Sequence, residues 1–130
     1  MQPSDAVSTV RAWQEAANAQ DVSRLLELSA PDIEIVGPRG SGFGHQLLRD
    51  WLARAGLTLT SLRAFARGDV VVLEQRGTWR SLDTGAVTGE KTVASAFVVR
   101  DREQVARYAR YERLEDALDA ADLDPTDEIA

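Results

Sequence analysis

Between Leu57 and Glu112 the sequence holds four strand-like runs with almost nothing between them: about Leu57–Arg67, Val70–Arg80, Thr88–Arg100 and Gln104–Glu112. The breaks are Gly68-Asp69, the stretch around Asp83-Thr84-Gly85, and Asp101-Arg102-Glu103, all short and polar. A parallel neighbour needs a crossover of a dozen or more residues, so breaks this short force an antiparallel meander. Everything upstream has to pack on that sheet.

Upstream, helical spacing dominates. Ser4 can cap a helix to about Ala19, with Val7, Val10, Trp13 and Ala17 on its apolar side. Asp21 can cap a second, short helix carrying Val22, Leu25, Leu26 and Leu28, which Pro31 ends. One early strand, Ile33–Val36, precedes a glycine-rich stretch. Leu47, Leu48, Trp51 and Leu52 then mark a third helix that Gly56 stops. The expected fold is α+β: a curved antiparallel sheet with about three N-terminal helices on its concave face. A last helical piece, Leu114–Ala121, closes a single domain over 1–121, and residues 122–130 read as an acidic tail, solvated and partly disordered.

The composition narrows the function classes. A chain of 130 residues can bury one real core. Its formal net charge of -6 argues against nucleic acid, whose phosphates need a dense basic patch. No cysteine and a single histidine, His45, remove thiolate chemistry and multi-histidine metal sites, so no metal and no cofactor are expected. The opening MQPSDAVSTV lacks the regions of a signal peptide, and no run reaches the ~18 apolar residues of a membrane span. A cytoplasmic protein that does not engage membranes is the simplest expectation.

The stretch GPRGSGFGHQLLRDW, Gly37 to Trp51, follows a strand and opens a helix, as phosphate-binding loops do. Gly37 and Gly42 stand at Walker A spacing, yet the lysine and hydroxyl positions are Phe43 and Gly44. Gly40-Ser-Gly42-Phe-Gly44 likewise misses the dinucleotide fingerprint by one residue. Neither residue set can hold a nucleotide, and a surface turn leading into a helix is the better reading.

The order of elements and four stretches resemble the nuclear transport factor 2-like superfamily, in its SnoaL-like (polyketide cyclase and ketosteroid isomerase-like) branch. The stretches are AWQEAANAQDVSRLLELSAPDIEIV, GFGHQLLRDWL, VVLEQRGTW and VVRDREQVARYARYERLEDAL. The resemblance implies a cone, a curved sheet wrapped around a pocket that the helices close. Aligned on Asp32 and Pro38, it puts Gly37 where the isomerases keep their general-base aspartate. Trp13 then stands at the oxyanion tyrosine and Ser95 at the second oxyanion acid, while Arg110 holds the position nearest the cyclases' acid on the last strand. All four depart from the pattern, so a ketosteroid-type proton shuttle is not expected.

Strand alternation supplies pocket candidates. With Ser95 inward, Val93, Phe97 and Val99 follow, and on the last strand Tyr108, Arg110 and Glu112. On the strand from Val70, the apolar pair Val70 and Val72 favours Glu74 and Arg76 on the same face, though a one-residue slip reverses the set. The drawn pocket has Trp13, Trp51, Phe97 and Tyr108 as its apolar wall and Glu74, Arg76, Ser95 and Arg110 as its polar groups. Competing readings stay open: Trp51 as core packing, Glu74 with Arg76 or Arg110 as an internal ion pair, His45 as an inert surface residue or a neutral base.

Three functions remain. The first is binding of a small hydrophobic molecule with a polar or anionic end, motivated by the arginines. The second is a cyclase, isomerase or hydratase acting on a hydrophobic polyketide-like or steroid-like substrate. There Glu74 is the base and Arg110 or Arg76 the oxyanion stabiliser, with His45 a further catalytic candidate. The third is a non-catalytic module forming a homodimer through a sheet face carrying Val71, Leu73, Trp79, Val105 and Tyr111.

Overall fold

The computed structural model describes residues 3–37 and 40–129. The elements in chain order are α1 (Pro3–Asn18), α2 (Val22–Glu27), β1 (Ser29–Gly37), β2 (Gly40–Phe43), α3 (His45–Ala55), β3 (Leu57–Arg67), β4 (Val70–Arg80), β5 (Val87–Arg100), β6 (Gln104–Tyr111), α4 (Leu114–Ala121), a 3-10 turn (Pro125–Asp127) and β7 (Glu128–Ile129). They form α+β with one curved, unclosed sheet in the order β2-β1-β6-β5-β4-β3-β7. The meander β3 to β6 is antiparallel throughout, and β1 joins its far side in parallel with β6. Such a pairing needs a long crossover, and the whole meander between β1 and β6 supplies it.

Local chemistry sets the boundaries. Asp21 accepts a hydrogen bond from the Arg24 backbone at 3.1 Å and so caps α2. The Ser4 side chain and Pro38 lie outside the described residues. Gly56 ends α3 in the left-handed region at φ 53°, and a Cβ there would stand 2.5 Å from the Arg80 carbonyl. Pro31 does not end α2, which stops at Glu27 with Leu28 as its C-cap; it sits inside β1, at a register shift between Ser29 and Glu34 that tolerates its missing N–H. Further shifts in the β3–β4, β4–β5 and β5–β6 ladders bend the sheet.

The main core lies between α1, α2, α3 and one face of the sheet. Val7, Val10, Trp13, Leu25, Leu48 and Leu52 meet Ile33, Val71, Leu73, Phe97, Val99, Val105 and Tyr108 there. A fourth helix backs the opposite face. Ala117 and Leu118 of α4, with Leu123, cover Phe65, Val72, Ala94 and Ala96.

This corrects three sequence expectations. First, Val71 and Leu73 face the helices, so Glu74 and Arg76 lie on the other face of β4. Val70 and Val72 are apolar because α4 covers them, not because they face the pocket. Second, the residues offered as a homodimer face do not share one exposed face. Val71, Leu73 and Val105 are buried under the helices, Trp79 packs on Leu57, Leu59 and Val93, and Tyr111 packs in the α4 cluster. Third, Gly40–Phe43 is a strand paired with β1 rather than a loop.

The acidic stretch after α4 pairs with the sheet at its end, while Asp122, Asp124 and Glu128 stay exposed. β7 pairs with β3 at Ala64 and Phe65. Arg63 binds Glu128 through two hydrogen bonds of 3.1 and 2.8 Å, and Arg67 binds Asp127 at 3.3 and 2.6 Å. Hydrogen bonding to these arginines lowers the carboxyl pKa of Asp127 and of Glu128. A lowered folded-state pKa stabilises the fold above the ordinary carboxylate range and stops doing so as the pH falls through the folded value. Asp127→Asn with Glu128→Gln should therefore lower Tm at pH 7. The deficit should close as melting is repeated below pH 3.

Candidate functional site

Trp13 is the centre of an aromatic cluster that spans four elements. Its ring centroid lies 5.0 Å from Tyr108 (β6), 5.6 Å from Phe97 (β5) in an edge-on contact, and 6.2 Å from Trp51 (α3), nearly parallel. Phe97 and Tyr108 are direct cross-strand partners at 5.3 Å, and Trp51 reaches Tyr108 at 5.6 Å. The Trp13 indole N–H donates to Ser29 Oγ at 2.8 Å, and Ser29 Oγ donates to the Leu25 carbonyl at 2.7 Å.

Beside this cluster runs a buried chain of polar side chains. Ser95 Oγ donates to Gln75 Oε1 at 2.6 Å, Gln75 Nε2 donates to Gln14 Oε1, and Gln14 Nε2 donates to Ser61 Oγ at 2.9 Å. Ser95 and Gln75 are fully buried, so each depends on its partners. All donors point the same way, from the interior toward β3.

Two rings of the cluster, Trp51 and Tyr108, line a cleft of about 550 Å³. Ile35 and Gly37 of β1, Trp51 of α3, Trp79 of β4, Val93 of β5 and Tyr108 and Arg110 of β6 line it. Trp79 folds back over Gly77, where a Cβ would meet its ring at 3.0 Å. The Arg110 guanidinium lies over the Trp79 ring, 5.6 Å from its centroid. Among the described residues Arg110 has no carboxylate partner. Glu112, the one carboxylate lining the cleft, is exposed and bonded to Lys91 at 3.0 Å. The Tyr108 hydroxyl is buried and has no hydrogen-bond partner, a cost on the order of 1–3 kcal/mol. Burial pushes the Tyr108 phenol up, while Arg110 and then Ser95 pull it back down. Ser95 stands near it but outside hydrogen-bond geometry, with its own proton given to Gln75. A second, more open depression along Gly40, Ser41, Gly42, Leu47 and Arg54 shares Ile35, Gly37 and Trp51 with the cleft, so the glycine-rich stretch forms its rim.

Of the residues singled out in the sequence, Trp51, Tyr108 and Arg110 line the cleft. Trp13, Phe97 and Ser95 pack directly behind them. Glu74 and Arg76 do not take part, and Arg76 is an exposed partner of Glu90 at 3.0 Å. His45 Nε2 donates to the Ser29 carbonyl at 3.0 Å and does not line the cleft. Gln14, Gln75 and Lys91 have no place in the sequence-based pocket, and Trp79 was assigned there to a dimer face instead. Gln75 could have been found as the polar residue in phase with Val71 and Leu73, and Gly77 two residues before Trp79 marks a close ring contact. Among the described residues no group of three or more His, Cys, Asp or Glu could hold a metal ion, and no helix is long and apolar enough to cross a membrane.

The SnoaL-like domain profile matches residues 10–108. The chain belongs to the SnoaL-like domain family. No curated protein matches its sequence. Solved structures agree on the fold of this SnoaL-like chain. A nuclear transport factor 2-like protein from Burkholderia xenovorans LB400 is 24% identical, with TM-score 0.69, covering 93% of this chain and 98% of that one. TerC, co-crystallised with polyporic acid, is 20% identical with TM-score 0.72, over 90% and 97%. A Mycobacterium tuberculosis protein in complex with estradiol-17β-hemisuccinate is 18% identical with TM-score 0.72, over 85% and 95%. At the positions matched to the isomerase branch, Gly37 brings no carboxylate, and Trp13 and Ser95 have spent their protons inside the protein.

Gln75→Leu in this SnoaL-like domain leaves the Ser95 hydroxyl and Gln14 Oε1 buried without partners, and should cost about 2–3 kcal/mol in denaturant unfolding. Adding Gln14→Leu should cost less than the sum of the two single changes, because the two side chains share one bond.

Proposed function

We propose that this SnoaL-like domain binds a small apolar molecule with an acidic end. The ring body lies in the cleft between Trp51 and Trp79, and the acid lies on Arg110. The observation that carries this is the unpaired Arg110 guanidinium, held over Trp79 in a cleft whose one carboxylate, Glu112, is already bonded to Lys91. Guanidinium matches a carboxylate in shape and charge, and an aromatic setting strengthens the pair. The fold relatives support the reading, since a steroid hemisuccinate joins an apolar ring system to a carboxylate and polyporic acid is itself an acid.

Binding without turnover is favoured over an isomerase, cyclase or hydratase. Glu74, the base offered for that chemistry, is on the far face of β4. Among the described residues the carboxylate lining the cleft, Glu112, is exposed, whereas burial is the setting that raises a carboxyl pKa toward a working general base.

Fluorene-2-carboxylate and its methyl ester test the reading by isothermal titration. The acid should bind more tightly than the ester, and Arg110→Gln should weaken the acid by about tenfold or more while sparing the ester. Equal binding of acid and ester to the unmodified protein would overturn it.

A further inference from the structure

Three glycines leave one side of the β1–β2 ladder bare. Ile35 packs among the helices and pairs with Gly42 across the ladder, while Gly37 pairs with Gly40. Strand alternation therefore sets Gly37, Gly40 and Gly42 on the face that carries Ile35. Two of the three have a local reason. Gly40 sits at φ 121°, and a Cβ at Gly42 would run into the Leu47 side chain. Gly37 has neither reason. Its φ is not in the left-handed region, and among the described residues a Cβ there would meet nothing nearer than the Gly40 carbonyl at 3.9 Å. Glycine weakens a strand, and one that the backbone does not require marks a place where something approaches closely.

Gly37 lies where two cavities meet. The cleft and the second depression, of about 590 Å³, share Ile35, Gly37 and Trp51. The β1–β6 ladder matches Ile35 with Tyr108 and Val36 with Ala109, so Gly37 comes beside Arg110 one step on. A line across the sheet thus runs from Trp79 on β4, under the Arg110 guanidinium, past Trp51 and over Gly37 to Gly40 on the edge strand β2. Its ends are four strands apart in the sheet order, which is roughly 19 Å at most. Any side chain at position 37 would stand across that line. We propose that the second depression is a tail subsite of the acid-binding cleft, so that the ligand is an elongated acid. Its carboxylate lies on Arg110, its ring beside Trp51, and an unbranched apolar tail runs over Gly37 against Leu47 and the β2 glycines. This deepens the acid-binding reading and rests on it for the carboxylate half.

The test uses 4′-pentylbiphenyl-4-carboxylate, which is of about that length, biphenyl-4-carboxylate, and the methyl esters of both. Binding to the full chain and to Gly37→Val is measured by isothermal titration. Burying one methylene tightens binding about fourfold, so the pentyl acid should bind the unmodified protein more than about tenfold more tightly than the plain one, and in Gly37→Val that ratio should fall below about threefold. The tail methyl should also give intermolecular NOEs to the Leu47 methyls, which line the depression and not the cleft. Gly37→Ala should melt no lower than the unmodified protein, because its Cβ has room. The inference is overturned by a smaller pentyl advantage, by one that survives in Gly37→Val, by tail NOEs to Trp79 or Val93 in place of Leu47, or by a clear fall in Tm for Gly37→Ala. In each of those cases the acid reading stands as long as acids outbind esters. A pentyl advantage that Gly37→Val abolishes, with acids binding no better than esters, supports the tail subsite while removing the acid reading. No binding of any of the four removes both.

Discussion

Trp13 fills the space where α1, α3, β5 and β6 converge, touching Trp51, Phe97 and Tyr108 at once, with its N–H fixed on Ser29. A ring of this size in a close-packed interior leaves its neighbours little choice of position. It sets the face of β5 that carries Phe97 toward the helices, and with it Ser95. Leu73 pairs with Ser95 across the β4–β5 ladder, so the parity of β4 follows. Gln75 is inward and Glu74 outward, and the chemical character of the cleft depends on that one choice.

With this parity the inward polar groups are neutral. Gln14, Gln75 and Ser95 satisfy one another, and among the described residues Tyr108 is the titratable group buried in the core. The charge in the cleft comes from its outer part, from Arg110 over Trp79 and from Lys91 with Glu112. An apolar floor with one hydroxyl and a cationic rim suits recognition of an acid-ended ring system better than removal of a proton from carbon. The back of the sheet is sealed by α4 and by the stretch through β7, which gives one part of the β3 edge a partner strand.

Much of this was legible in the sequence. Short polar breaks dictate the meander whatever the side chains are, and the apolar spacing of Val7, Val10 and Trp13 marks the helix face that reaches the sheet. Tyr108 and Arg110 emerged because alternation carries position along a strand once one residue is oriented, and Trp51 because helical spacing puts it on the apolar side of α3. β4 failed because both its faces are apolar. Val70 and Val72 pack against α4, a helix that comes much later in the chain, and a local pattern carries no sign of it. The pairing of the C-terminal stretch was illegible for a related reason: nothing local shows that Arg63 and Arg67 stand opposite Glu128 and Asp127.

The chain has three tryptophans, one in each of three settings, so their indole N–H resonances report on the cleft separately. Trp51 and Trp79 line it, whereas the Trp13 N–H is bonded to Ser29 behind it. The most direct measurement is a 15N-edited titration with fluorene-2-carboxylate. The Trp51 and Trp79 signals should shift together and saturate at one affinity, with Trp13 almost stationary and slow to exchange with solvent. A titration in which Trp13 moves while Trp51 and Trp79 stay fixed, or in which none of the three responds, would contradict a ligand cleft between α3 and β4.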